Sequence, residues 1–216
     1  MVLKRMQLLG QIAAITRYPV KSLAGEELQS AEIGQDGIPG DREAAFFVTA
    51  GHARTGKTYR GKEHNLLHLT GDPERAQTLA RERRVDVELR RGSRYFDDAP
   101  VSLIFDRWVE EVSAGLSRPM DFRRWRPTLF AHAAGDFRFA ENDLTASAIE
   151  VGTAVLRVRY PIERCVTTTY DPVTGEPDPE VLRYVARERA NLLGVYCDVE
   201  LAGVVRAGDA LRLRAR

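Results

Sequence analysis

Gln11-Ile12-Ala13-Ala14-Ile15-Thr16-Arg17-Tyr18-Pro19-Val20-Lys21-Ser22-Leu23-Ala24-Gly25 is the stretch whose reading sets the fold class. Ile12, Ile15, Tyr18 and Val20 bring strand-forming weight, so a strand is expected that Pro19 halts near Tyr18. Pro19 to Gly25 is then a loop with an embedded lysine, Lys21. Residues 27–33 predict a second strand, the glycine-rich residues 34–42 a connection, and residues 44–49 a third strand whose Phe46, Phe47 and Val48 suggest burial on both faces. Short strands separated by glycine-bearing turns predict a barrel or a strongly curved sheet.

Further along, residues 66–69 read as a short strand. Asp72-Pro73-Glu74 starts a helix that runs to about Arg84, with Asp as N-cap and Pro in the first turn. Val85-Asp86-Val87-Glu88-Leu89 alternates as a half-buried strand. The polar, turn-rich residues 90–100 mark a junction, giving an N-terminal β-rich lobe over 1–98 and a second domain over 99–216. Residues 101–105 predict a buried strand, and Asp106 caps a helix with Trp108, Val109 and Val112 facing inward. Residues 121–127 put three arginines among two aromatics, read as a strand aiming its arginines at one anion. Residues 154–160 form a strand, Asp178-Pro179 opens a helix that Gly194 ends, and Cys197 falls on the apolar side of the strand that follows. A hairpin turning at Gly208-Asp209 closes the chain. The fold class is mostly β (α+β) with a few peripheral helices.

Composition narrows the function. The 216 residues carry 44% hydrophobic and 29% charged side chains, ordinary for a soluble globular chain. A net charge of +1 gives no global case for nucleic acid or a membrane surface, so any anion binding must be local. Two cysteines without CxxC spacing make neither a disulfide framework nor a zinc knuckle. The first ten residues hold too short an apolar run for a signal peptide, and nothing approaches the ~20 apolar residues of a membrane span. A cytoplasmic protein with reduced thiols is expected. Residues 51–58 formally match GxxxxGK[ST], but a polar, glycine-broken segment follows where a phosphate loop needs a long helix.

The chemistry concentrates in Tyr160-Pro161-Ile162-Glu163-Arg164-Cys165-Val166-Thr167-Thr168-Thr169-Tyr170-Asp171-Pro172-Val173-Thr174-Gly175. Threonine and valine favour extended backbone and Asp-Pro and Gly punctuate loops, so Cys165 is expected beside a strand that runs into a turn. Arg164 next to it favours the thiolate, which is both nucleophile and metal ligand. The competing reading is a small core residue, since free cysteines are often buried.

Several motifs in order resemble the MOSC superfamily, and most closely its branch of amidoxime-reducing proteins. They are Tyr18-Pro19-Val20-Lys21-Ser22, Gly40-Asp41-Arg42, Arg124-Trp125-Arg126-Pro127, Phe139-Ala140-Glu141-Asn142-Asp143, Arg164-Cys165-Val166-Thr167-Thr168, Gly194-Val195-Tyr196 and Val205-Arg206-x-Gly208-Asp209. The resemblance implies a MOSC-type β-barrel and a molybdenum–molybdopterin cofactor ligated by the Cys165 sulfur. It implies Lys21, Ser22, Arg42, Arg54 and Arg126 as cofactor-binding residues, with Thr128 at the position of the motif's asparagine. It also implies reduction of N-hydroxylated small molecules, with Arg164, Thr167 and Asp171 beside Cys165 in the catalytic group. With no cysteines to hold an iron–sulfur cluster, electrons would come from a separate ferredoxin, flavoprotein or cytochrome. Two other readings stay open: a persulfide sulfur carrier on Cys165, and a non-catalytic cofactor-binding module.

Overall fold

A computed structural model describes residues 6–214; Met1–Arg5, part of the stretch read for a leader, lie outside it. Twelve strands, three α-helices and short 3-10 turns occupy the described residues: β1 Gln7–Arg17, β2 Glu26–Leu28, β3 Ser30–Ile33, β4 Ala44–Gly51, α1 Pro73–Glu82, β5 Val85–Arg91, β6 Val101–Phe105, α2 Asp106–Gly115, β7 Leu129–Ala133, β8 Ala148–Val151, β9 Ala154–Glu163, α3 Pro179–Glu188, β10 Leu192–Leu201, β11 Gly203–Arg206 and β12 Ala210–Leu213.

Seven strands close on themselves in the order β12-β8-β9-β10-β6-β7-β1, with β1 returning to β12. Closure removes the open edges that a curved sheet would otherwise expose. Only β6 and β7 in this ring run parallel, and α2 lies in the connection between them. β2 continues the same edge of β1 beyond β12, pairing Ile15–Arg17 with Glu26–Leu28. The mostly-β barrel expected from the sequence is what the chain forms.

Residues from all seven strands fill the barrel core: Leu9, Ile15, Leu103, Phe105, Leu129, Ile149, Leu156, Val195 and Leu211 are all fully buried. Cys197 belongs to this core, and burial pushes its thiol pKa well up. A smaller cluster packs β4, β5 and α1 around Phe46, Val48, Tyr59, Leu67 and Leu79. α1 starts as its sequence demands, with the Asp72 carboxylate accepting the Glu74 N–H at 2.9 Å.

Five local expectations change. Residues 66–69 form a 3-10 turn rather than a strand. The strand expected over 27–33 breaks at Gln29: β2 stays on the barrel while β3 leaves to pair with β11. The closing turn exists, but its arms pair elsewhere. β12 joins β1 and β8, while the turn docks through Gly208 N–H on Ile12 O and Ile12 N–H on Asp209 O, both at 2.8 Å. Residues 121–127 hold a 3-10 turn, Phe122–Trp125, because Asp121 accepts the Arg123 N–H and caps it. α3 ends at Glu188, and Gly194 lies inside β10 at φ +88°.

The two cysteines should therefore behave differently. An alkylating reagent is expected to label the native protein once, at Cys165, and twice after unfolding, read by intact mass. Cys197→Ser places a hydroxyl where the thiol is fully buried and should lower stability by about 1–3 kcal/mol in a denaturant titration.

Candidate functional site

β9 ends at Glu163, and two residues later Cys165 takes extended backbone at φ −126°. Its carbonyl accepts from Thr168 N at 3.0 Å and Thr168 Oγ1 at 2.9 Å, so the 3-10 turn Val166–Thr169 hangs from the cysteine's own main chain. Thr169 Oγ1 likewise bonds Val166 O at 2.7 Å. Those two hydroxyls build the turn. Thr167 alone turns to the sulfur, its Oγ1 3.0 Å from Cys165 Sγ, and the thiol stays exposed.

Arg164 is anchored next to it. Its Nε donates to Leu193 O at 2.8 Å, its Nη2 to the same oxygen, and its Nη1 to Trp125 O at 3.0 Å. Burial lowers its pKa to about 10, so the guanidinium remains charged at neutral pH. Every one of these acceptors is a neutral carbonyl, so none of the positive charge is cancelled.

Cys165 opens onto a cavity between the barrel end and the loops of the smaller cluster. Its walls hold Lys21, Arg42, Arg60, Lys62, Arg123, Arg124, Arg126 and Arg164 against two carboxylates, Asp97 and Glu163. Eight cations against two acids, in a chain of net charge +1, concentrate the positive field in one place. Ser22, Thr128, Thr167 and Tyr196 add hydroxyls. Burial pushes the Tyr196 phenol up to about 12, so it remains a donor at neutral pH. Ser102 and Thr128 are bonded to each other, hydroxyl to hydroxyl at 3.2 Å and Thr128 N–H to Ser102 Oγ at 2.9 Å.

Three of these side chains leave from left-handed backbone without being glycine: Ser22 at φ +72°, Arg42 at +51° and Arg126 at +53°. Such conformations cost of order 1 kcal/mol and persist where surroundings enforce them. The enforcement is visible. Leu23 N–H closes a turn on Val20 O at 3.1 Å around Ser22, and Arg42 N–H bonds Tyr18 O at 2.6 Å. The Arg42 and Arg126 guanidiniums then lie 4.5 and 4.3 Å from the centre of the same buried Tyr18 ring. Asp41 accepts from Tyr18 N at 2.7 Å and pairs with Arg42 at 2.5 Å. Lys21 pairs with Asp97 at 2.5 Å.

Some lining donors have no partner within the protein. Arg60 Nε, Arg124 Nε and Trp125 Nε1 are buried N–H groups without a hydrogen bond. Arg124 and Trp125 are 7% and 2% exposed and these N–H atoms are themselves out of solvent reach, so they are a standing cost to the fold. The cationic lining gives the cavity a local positive field.

Two expected residues sit outside the lining. Arg54 is exposed in the loop after β4. Asp171 uses Oδ1 for the Val173 and Thr174 N–H groups, both at 2.9 Å, closing its own turn, and meets Arg124 Nη2 only at 3.4 Å. Cys165, Arg164, Thr167, Lys21, Ser22, Arg42, Arg126 and Thr128 do come together. Sequence reading missed Arg60, Lys62, Arg124, Tyr196 and Asp97. Arg124 was quoted within its motif, but nothing in the spacing marks it as buried over the cysteine turn, where Nη1 bonds Thr169 O at 2.9 Å.

Residues 60–69 clasp the cysteine loop from the other side. Asn65 Nδ2 donates to Gly175 O at 2.9 Å, His68 Nε2 to Asp171 O at 2.8 Å, and the His68 ring stacks on Tyr170. Gly61 approaches so closely that a Cβ there would lie 2.8 Å from Thr167 Cγ2.

Burial lowers the pKa of both His64 and His68. A histidine with a depressed folded pKa stays neutral while the unfolded chain takes up protons, so stability should fall as pH drops below about 6.5. Urea midpoints at pH 7.5 and 5.5 test this; His64→Gln with His68→Gln should flatten the difference. Ser22→Gly should hold or raise stability by about 1 kcal/mol in the same assay, because glycine adopts φ +72° freely.

Comparison with known proteins places the fold and its family. The MOSC domain profile matches residues 90–212, more than half the chain. Mitochondrial amidoxime-reducing component 1 of Xenopus laevis is 28% identical over 128 residues, 53% of this chain and 36% of that protein, so the match spans about a third of the relative. The YuaD protein of Bacillus subtilis superposes with a TM-score of 0.60 at 15% identity, covering 98% of this chain and 100% of that one. The YiiM protein of Geobacillus stearothermophilus gives 0.51 at 12% identity, covering 98% and 76%. At these identities the structures speak for the barrel alone. With the profile match running from β5 to β12 through the cysteine turn, the chain belongs to the MOSC domain family.

Proposed function

We propose that this protein holds a molybdenum–molybdopterin cofactor with Cys165 as the metal's protein ligand, and reduces N–O bonds of small N-hydroxylated molecules. The observation that carries the reading is an exposed thiol opening onto a cavity lined by eight cationic side chains.

The donor set fits the group. No three His, Cys, Asp or Glu side chains converge among the described residues, so a metal at Cys165 would take most of its ligands from elsewhere. A dithiolene supplies soft sulfur of the kind that pairs with a thiolate. The cofactor's phosphate calls for planar, multidentate donors, which Arg42 and Arg126 provide from beside the Tyr18 ring, with Lys21, Ser22 and Thr128 alongside. When bound, the cofactor supplies the redox chemistry at the metal.

The chain's own residues then hold and orient. Thr167 Oγ1 steadies the sulfur at 3.0 Å, and Arg164 keeps a fixed positive charge beside it. The Tyr196 hydroxyl, protonated at neutral pH, is the cavity's neutral donor for an N–OH oxygen. Asp171 and Arg124 act one step back, shaping the turn that carries Cys165. Electrons arrive from a separate redox protein.

Molybdenum content measured by mass spectrometry tests the reading. Protein from a host that makes molybdopterin should carry near-stoichiometric metal, and Cys165→Ala should lose it. Arg42→Gln and Arg126→Gln should reduce loading severalfold while leaving the barrel folded. Metal-free wild-type protein from a competent host would overturn the reading. A mass increase of one sulfur on Cys165, removed by reductant, would then identify a persulfide carrier instead.

A further inference from the structure

Glu141 does not line the cavity, yet it is bonded to the peptide that anchors Arg164. It is 5% exposed, in the 3-10 turn Glu141–Leu144, and its Oε1 accepts from Arg189 Nη2 at 2.6 Å and from Gly194 N at 3.2 Å. The N–H of Gly194 belongs to the same peptide unit as the C=O of Leu193. That oxygen takes both Nε and Nη2 of Arg164. In a trans peptide the two groups point in opposite directions. A carboxylate on the N–H side and a guanidinium on the C=O side therefore polarise one amide in the same sense, each strengthening the other's bond.

Gly194 makes room for the arrangement. A Cβ there would stand 2.7 Å from Ile104 Cγ1 and 3.1 Å from Arg164 Nη2, and its φ is +88°. Asn191 grips the main chain of the same arginine from both sides. Arg164 N–H donates to Asn191 O, and Asn191 Nδ2 donates to Arg164 O, each at 2.9 Å. Asn191 sits at φ +65°, a conformation asparagine tolerates better than most residues.

We propose that Glu141, through the Leu193–Gly194 peptide, and Asn191, through the Arg164 main chain, are positioning residues that fix the guanidinium beside Cys165. The proposal rests on the preceding reading only in treating Arg164 as part of an anion-binding wall. It differs from a packing role because it names one side chain, Arg164, as the route.

The test uses the full chain without cofactor. Hydrogen exchange at arginine Nε–H is followed by NMR, the Arg164 signal being assigned by its loss in Arg164→Lys. Glu141→Ala and Asn191→Ala should each speed Arg164 Nε–H exchange about tenfold or more, the ratio expected when one strong hydrogen bond is weakened. The Arg124 and Arg126 signals should hold. Glu141→Gln, which keeps an acceptor for Gly194, should give a smaller change and covers the case in which Glu141→Ala does not fold. Unchanged Arg164 exchange in Glu141→Gln and Asn191→Ala, or equal acceleration at all three arginines, overturns the proposal.

A calorimetric titration with inorganic pyrophosphate supplies the second readout. Glu141→Gln should weaken binding in the wild-type background and have no effect in Arg164→Lys, since coupled residues are not additive. An equal loss in both backgrounds counts against the route through Arg164. Failure of the wild type to bind pyrophosphate would sink the anion-site reading, while the exchange data would still decide the positioning claim.

Discussion

The constraint on which the site depends is mutual repulsion. Eight cationic side chains around one cavity would push its walls apart unless something holds them, and charged groups are costly to bury unpaired. The chain restrains three of them with neutral partners. Arg164 is bound by two backbone carbonyls, Arg124 by the carbonyls of the cysteine turn, and Arg126 by Leu23 O and the face of Tyr18. Carbonyl dipoles and an aromatic ring fix position without cancelling charge. Lys21, Arg42 and Arg123 instead have close carboxylate partners, Asp97, Asp41 and Asp121, and Glu63 lies about 4 Å from Arg60 and Lys62. Arg164 and Arg126 therefore keep their charge free of a close carboxylate.

The barrel makes that possible where its strands start and stop. β9 finishes at Glu163 beside the start of β10 at Leu192, and β7 begins at Leu129 beside Ile15 of β1. Chain entering and leaving these strands exposes carbonyls no ladder has claimed, among them Trp125 O and Leu193 O, and arginine takes them. The N-terminal segments complete the wall. β1 runs through the barrel and delivers Tyr18, the ring on which Arg42 and Arg126 meet, two residues before the Val20–Leu23 turn.

The sequence was legible where chemistry and backbone geometry agree. Asp72-Pro73 and Asp178-Pro179 preceded α1 and α3, Val101–Phe105 was a buried strand, and Cys197 belonged to the core. Short strands separated by glycine-bearing turns pointed to a barrel, though not to which strands pair. β3 with β11 and β12 with β1 are contacts between chain ends that no local pattern encodes. The motif residues Lys21, Ser22, Arg42, Arg126, Arg164 and Cys165 converge on one cavity, whereas Arg54 and Asp171 do not line it. Three of these motifs hide the same feature, a non-glycine residue in left-handed backbone, at Ser22, Arg42 and Arg126. Spacing rules look for glycine at such positions and find none. Gly194 misled for the opposite reason. It looked like a helix stop, but a side chain there would strike Ile104 and crowd Arg164.

These features set stability and site charge against each other. Strained backbone at three lining residues, buried N–H donors without partners and crowded cations each raise the energy of the folded chain. Replacing Arg124 by an apolar residue would remove an orphan donor, yet it would also remove a positive charge from the cavity wall. A fold selected for stability alone has no reason to hold such costs together in one cavity. The barrel core, fully buried and free of comparable strain, is what allows them to be carried at its rim. The clasp of residues 60–69 over the cysteine turn follows the same logic from outside. Its bonds to Asp171 O and Gly175 O tie the loop that carries the exposed thiol to the smaller cluster.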